Sequence, residues 1–163
     1  MDVGSERPIR IGVIGSSRAD DELRAAARGV GRALARARAV VVCGGRGGVM
    51  EAAAEGAADE GGVVLGFLPG DDAGAAAAGV TLPVPTDMGQ ARNVLVVRAS
   101  EAVVAVGGAW GTRNEAALCL KIDVPLVGVM DTLGEVFPLE RFRDPDAGVA
   151  RALELAQERR RGR

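Results

Sequence analysis

The stretch AVVAVGGAWGTRNEAALCLKI, residues 102–122, decides how the chain is read. Val103 to Val106 form a short apolar run suited to a strand buried on both faces. A glycine-rich turn follows, Gly107 to Gly111, and Thr112 is then expected to open an apolar helix. Thr112 and Glu115 have the spacing of a capping box, in which each side chain accepts from the other residue's backbone N–H. Glycines between a buried strand and a helix N-terminus bring free backbone N–H groups close to a ligand. The helix dipole adds partial positive charge there, so phosphate suits such a place.

Two more strand–glycine–helix junctions lie upstream. Ile9 to Ile14 reads as the first strand, followed by the tight turn Gly15-Ser16-Ser17. Asp20, Asp21 and Glu22 then occupy a first helical turn, where anions are favoured, and Leu23, Ala27, Val30 and Leu34 give that helix a buried stripe. Arg24, Arg28, Arg32 and Arg36 recur every four residues on another face. They make either an anion-binding stripe or a solvated face, and a mildly acidic chain favours the latter. Ala39 to Cys43 is the second strand and runs into Gly44-Gly45-Arg46-Gly47-Gly48, with a helix from about Val49 that turns Met50, Ala53 and Ala57 inward.

The pattern continues with strands at Val63–Phe67 and Val80–Val84, separated by a Gly-, Ala- and Asp-rich loop. Pro85, Thr86 and Asp87 are expected to start a helix reaching about Ala99, with Asp87 and Gln90 as its capping pair. After the helix that follows the fifth strand, Pro125 to Met130 is the sixth strand. Thr132 and Glu135 suggest a helix start that Pro138 cuts short. A last helix spans Pro145 to about Arg160, with Val149, Leu153 and Leu155, and ends in a frayed basic tail, residues 159–163. Alternating strands and helices predict one domain over residues 9–158: an α/β fold, Rossmann-like, three-layer α/β/α, with a mostly parallel sheet. The three glycine turns would then share the carboxyl-end edge of the sheet. Those after the first and fifth strands would flank the point where strand order reverses.

Composition narrows the chemistry. The chain has 163 residues, 48% of them hydrophobic, and a net charge of -2, which gives no global pull toward nucleic acid. No apolar run approaches the ~20 residues of a membrane span, and Met1 to Pro8 lacks the apolar core of a signal peptide. A flexible lead-in over residues 1–8 and a cytoplasmic location are expected. The absence of histidine excludes histidine triads and histidine metal sites, and the single lysine, Lys121, argues against a lysine-dependent P-loop or Schiff-base enzyme. Cys43 and Cys119 form no metal-spaced pair and are expected to be buried free thiols, so no metal is expected on the protein's own ligands. The G-x-G-x-x-G fingerprint of dinucleotide folds is missing.

GGRGGVME, residues 44–51, resembles the first glycine motif of the Lonely Guy proteins, a superfamily long mislabelled as lysine decarboxylases. Residues 107–115 resemble the second, P-G-G-x-G-T-x-x-E; Gly15-Ser16-Ser17 and Arg92 also match. The resemblance covers about Ile9 to Met130, and TDMGQARN, residues 86–93, is most similar to the branch that includes molybdenum-cofactor carrier proteins. It implies a homodimer or higher homo-oligomer that binds a phosphorylated nucleotide-like or pterin-like molecule, such as a molybdopterin-type cofactor, and needs no further cofactor. Neither nucleic acid nor membrane is an implied partner. By the same resemblance, the amides of Gly108, Ala109, Trp110, Gly111 and Thr112, with the Thr112 hydroxyl, hold the phosphate. Gly44 and Gly45 let the second loop approach, Gly15, Ser16 and Ser17 contact the base or ribose, and Met88 packs on the base. The alternative it implies is a phosphoribohydrolase that cleaves the N-glycosidic bond of nucleoside 5′-monophosphates, with Arg92 and Glu115 catalytic.

Three departures bear on that choice. The family hydrolases follow the arginine with lysine where this chain has Asn93, their proline is Gly107, and a motif glycine is Ala109. Asn93 and Ala109 favour binding, whereas the retained Arg92 and Glu115 favour hydrolysis. Glu115 can serve as a helix cap, as a catalytic carboxylate, or as both. Trp110 is placed to stack on an aromatic ligand, to pack in a subunit interface, or to cover its loop.

Overall fold

The computed structural model describes residues 7–162. Seven strands form one sheet: β1 Arg10–Gly15, β2 Val40–Cys43, β3 Val64–Leu68, β4 Leu82–Pro85, β5 Ala102–Val106, β6 Leu126–Val129 and β7 Glu140–Phe142. Their order is β4-β3-β2-β1-β5-β6-β7, and every neighbouring pair is parallel. The chain works outward from β1 to β4 and then returns to lay β5 on the free side of β1. The reversal therefore falls between β1 and β5, where open parallel sheets take their ligands. The Rossmann-like α/β expectation holds.

Five helices cover the sheet: α1 Asp21–Arg36, α2 Val49–Asp59, α3 Asn93–Ala99, α4 Trp110–Lys121 and α5 Pro145–Arg161. Alternate strand residues sort into two cores. Ile11, Val13, Val41, Val104 and Val106 pack with Val30 and Leu34 of α1, Ala53 of α2 and Ala152 of α5. Ile14, Val42, Val103 and Ala105 pack with Val96 and Val97 of α3 and Ala116 and Cys119 of α4. Small residues let α1 and α2 approach closely: a Cβ on Gly31 would lie 1.9 Å from the Ala53 carbonyl oxygen. Among the described residues no helix is long and apolar enough to cross a membrane.

The arginine stripe of α1 is neither an open anion site nor a free solvated face. Arg24 pairs with Glu51, Arg28 with Glu55 and Asp59, Arg32 with Asp59, and Arg36 with Glu60, at 2.7–3.3 Å. The four-residue period of α1 meets carboxylates of matching period on α2, so the two helices are zipped along their outer edge.

Several local expectations are corrected. No helix starts at Pro85 to Asp87: Asp87 has φ +52°, and the Thr86 hydroxyl donates to the Leu68 carbonyl at 2.7 Å, which ties the segment back to β3. A 3-10 turn, Gly89–Arg92, leads into α3 instead, and Asp87 and Gln90 form no capping pair among the described residues. Helix α4 begins at Trp110, two residues before Thr112. The Thr112 side chain reaches back to accept from the Ala109 N–H at 3.2 Å, so Thr112 is not the cap and the box with Glu115 does not form. Thr132 and Glu135 start no helix. Asp131 takes the Leu133 N–H, Arg141 donates to the carbonyls of Gly134 and Phe137, and the loop so fixed delivers the unexpected strand β7. The segment expected to fray is the last turn of α5. Arg160 bonds both carboxylate oxygens of Glu101 and donates to the carbonyls of Arg7 and Pro8. The rest of the expected lead-in, residues 1–6, and Arg163 lie outside the described residues.

Candidate functional site

At the reversal between β1 and β5 the carboxyl edge of the sheet opens into a cleft of about 910 Å³. Its walls are the turn after β1, the loop after β2, the 3-10 turn into α3, and the first turns of α4. Of the residues singled out in the sequence, Gly15, Ser16, Ser17, Arg92, Ala109, Gly111, Thr112 and Glu115 line it. The first two glycine loops are bonded together, since the Val49 N–H that opens α2 donates to the Ser16 carbonyl at 3.0 Å. The third loop presents α4 end-on, and the N–H groups of Trp110, Gly111 and Thr112 have no acceptor within the helix by the geometry of a first turn.

Arg92 is the unusual group. It is 7% exposed, at the junction of the 3-10 turn and α3. Its Nη1 donates to Asn93 Oδ1, its Nη2 lies 3.5 Å from the Gly44 carbonyl, and its Nε finds no partner among the described residues. A buried guanidinium donor left unsatisfied costs on the order of 1–3 kcal/mol, so its retention calls for a use. Burial pulls the Arg92 pKa down, and Glu115 opposes that shift. Gly44 has its place for the same reason: a Cβ there would sit 2.7 Å from Arg92 Nη2 and 2.9 Å from Met50 Sδ. Its role is to seat the arginine.

Glu115 is equally buried, at 7% exposed, and makes no side-chain hydrogen bond among the described residues. Burial pushes its carboxyl up to about 7, against the pull of the Arg92 charge. Arg92 and Glu115 therefore face one cleft as opposite charges without closing into a hydrogen-bonded pair. The thiols behind them, Cys43 and Cys119, are buried and pushed up to about 11 and about 12, so both stay protonated near neutrality.

Other expected residues stand apart. Met88 is exposed, and neither it nor Gly45, Gly108 nor Trp110 lines the cleft. Trp110 is 84% exposed, with the Arg113 guanidinium 5.3 Å from its ring centroid. The cleft also uses residues that sequence reasoning passed over: Arg46, Met50, Gln90 and Asn114. Arg46 and Met50 sit inside the first glycine motif, and that position was the available signal.

The sequence matches the SLOG cluster4 family over residues 8–154, nearly the whole chain. The chain belongs to the SLOG cluster4 family. An uncharacterized protein of Archaeoglobus fulgidus is 42% identical over 119 residues, covering 69% of this chain and 74% of that one. The fold is similar to the molybdenum cofactor binding protein of the phototrophic bacterium Rippkaea orientalis, with a TM-score of 0.84 and 30% identity over 94% of this chain and 98% of that one. It is similar as well to the Moco carrier protein of Chlamydomonas reinhardtii, with a TM-score of 0.85 and 30% identity over 93% of this chain and 99% of that one. The resemblance read from the paired glycine motifs is borne out, including its branch.

Proposed function

We propose that this SLOG cluster4 protein binds a phosphorylated pterin-like or nucleotide-like molecule in the cleft and holds it intact. The observation that carries the reading is the buried Arg92, whose Nε has no partner among the described residues, beside the open first turn of α4. The N–H groups of Gly111 and Thr112 and the Thr112 hydroxyl receive the phosphate, and the turn Gly15 to Ser17 contacts the organic part. Similarity to molybdenum cofactor binding and carrier proteins supports a pterin phosphate as the ligand class. The residues present fit such a group through its phosphate and polar ring. They offer no thiolate to a metal, because both cysteines are buried and protonated. Any metal would arrive as part of the ligand. We read the protein as cytoplasmic and homodimeric, with no nucleic-acid partner. A single monomeric species in sedimentation at micromolar concentration would contradict the dimer.

One observation favours a second reading. A buried carboxyl near 7 in the cleft, Glu115, has the acidity of a general acid or base at neutral pH, as a phosphoribohydrolase would need. Native mass spectrometry with AMP separates the two. Carriage gives a one-to-one complex with AMP intact; release of adenine and ribose 5-phosphate, abolished in Glu115→Ala, gives the hydrolase.

A further inference from the structure

Arg92 has only donors to offer, so the atom of Asn93 that faces it must be the amide oxygen, as found. That leaves Asn93 its NH2 group, which needs an acceptor and meets Asn114 Oδ1 at 3.1 Å. The oxygen of Asn114 is thereby turned toward Asn93, and its own NH2 group remains for the cleft that Asn114 lines. The orientation of each amide follows from the guanidinium at the head of the chain. Next along α4 stands Glu115, buried and without a hydrogen-bond partner among the described residues, whose carboxyl keeps an acceptor oxygen in either protonation state. The cleft wall thus offers a donor at Asn114 and an acceptor at Glu115.

We propose that Asn114 and Glu115 read a lactam edge, an adjacent C=O and ring N–H, on the bound heterocycle, with Asn93 as the residue that fixes the polarity of Asn114. This rests on the binding reading above and narrows its ligand to 4-oxo-pterin or 6-oxo-purine chemistry. A 6-amino ring would point its NH2 group at the NH2 group of Asn114, and would leave an unprotonated ring nitrogen facing Glu115, a second mismatch when that carboxyl is ionised. Asn114 is itself exposed, so the mismatch becomes costly where the bound ring covers it, and one such mismatched hydrogen bond is worth about tenfold in affinity. Asn93 stands where the family hydrolases carry lysine. A lysine there could still donate to Asn114 Oδ1, but it could not accept from Arg92, so the link from the guanidinium to Asn114 needs the amide.

The test is calorimetric titration with IMP and AMP, which share ribose and phosphate and differ at this edge. The wild type should bind IMP at least tenfold more tightly than AMP. In Asn93→Asp the carboxylate accepts from both Arg92 and Asn114, so Asn114 turns its oxygen to the cleft, and the ratio should fall about tenfold or invert. In Asn114→Ala the ratio should move toward one with ribose 5-phosphate binding kept. These ratios are taken on the same folded variant, so a loss of stability does not mimic them. Equal or tighter binding of AMP by the wild type, or an unchanged ratio in Asn93→Asp, would overturn the proposal alone. Failure of IMP, AMP and ribose 5-phosphate all to bind would overturn the binding reading and the proposal with it.

Discussion

The arginines of α1 and the arginine of the cleft are the same side chain put to opposite uses. Along α1, Arg24, Arg28, Arg32 and Arg36 are partly exposed, and each meets a carboxylate of α2 or, for Arg36, of Glu60 at its C-terminal cap. In the cleft, Arg92 is buried, one of its donors is idle, and the nearest carboxyl, Glu115, is held off. The first arrangement asks little of the protein, because water screens what the ion pairs do not satisfy. The second costs stability that only a ligand can return. Charge that is satisfied marks structure, and charge that is desolvated and unsatisfied marks a site.

Acidity breaks the comparison most sharply. Glu115 has a folded value of about 7 against an ordinary 4.5, so the folded state keeps a proton that the unfolded chain releases. Stability therefore falls as pH rises from about 4.5 to about 7, by on the order of 3 kcal/mol, and then levels off. Asp59 runs the other way. Arg32 and Arg28 lower its pKa, so its contribution is present above its ordinary 3.8 and is lost in acid, as pH falls through its lower folded value. Urea midpoints from pH 4.5 to 8 should decline in the wild type and stay flat in Glu115→Gln; parallel curves would contradict the burial of that carboxyl.

Glycine substitutions sharpen the same contrast. A Cβ on Gly31 runs into the Ala53 carbonyl of the backbone, which cannot yield, so Gly31→Ala should cost about 2–3 kcal/mol in denaturant titration and spare the cleft. A Cβ on Gly44 meets the tip of Arg92, which can move. Gly44→Ala should therefore leave stability within about 1 kcal/mol and weaken IMP binding about tenfold. The smallest effect belongs to the ladder. Arg28→Ala should cost about 0.5–1 kcal/mol, and the loss should shrink in 1 M salt.

Much of this was legible before any coordinates. Six of the seven strands and the convergence of three glycine turns follow from apolar runs punctuated by glycine, because buried parallel strands and βα turns are local patterns. Strand β7 was not legible. Glu140 to Phe142 carries one apolar residue and owes its pairing to a loop stitched by Arg141 and Asp131. The helix expected at Thr86 failed because a left-handed Asp87 is invisible in composition. Within the site, Arg92 and Glu115 were found through their motifs. Asn114 was missed because its role depends on a hydrogen-bond chain that begins 22 residues earlier, at Arg92. The partners of the α1 stripe were missed for the same reason: a period on one helix says nothing about which helix answers it.

The most direct measurement is a titration of the isotopically labelled protein with IMP, followed by its backbone amide and arginine Nε–H resonances. Binding in the cleft should shift the amides of Gly111 and Thr112 together with the Arg92 Nε–H, saturating at one equivalent, while the α1 arginines stay still. Shifts confined to the α1 arginines, or no shift at Arg92, would contradict the claim that the buried, unsatisfied arginine marks the binding site.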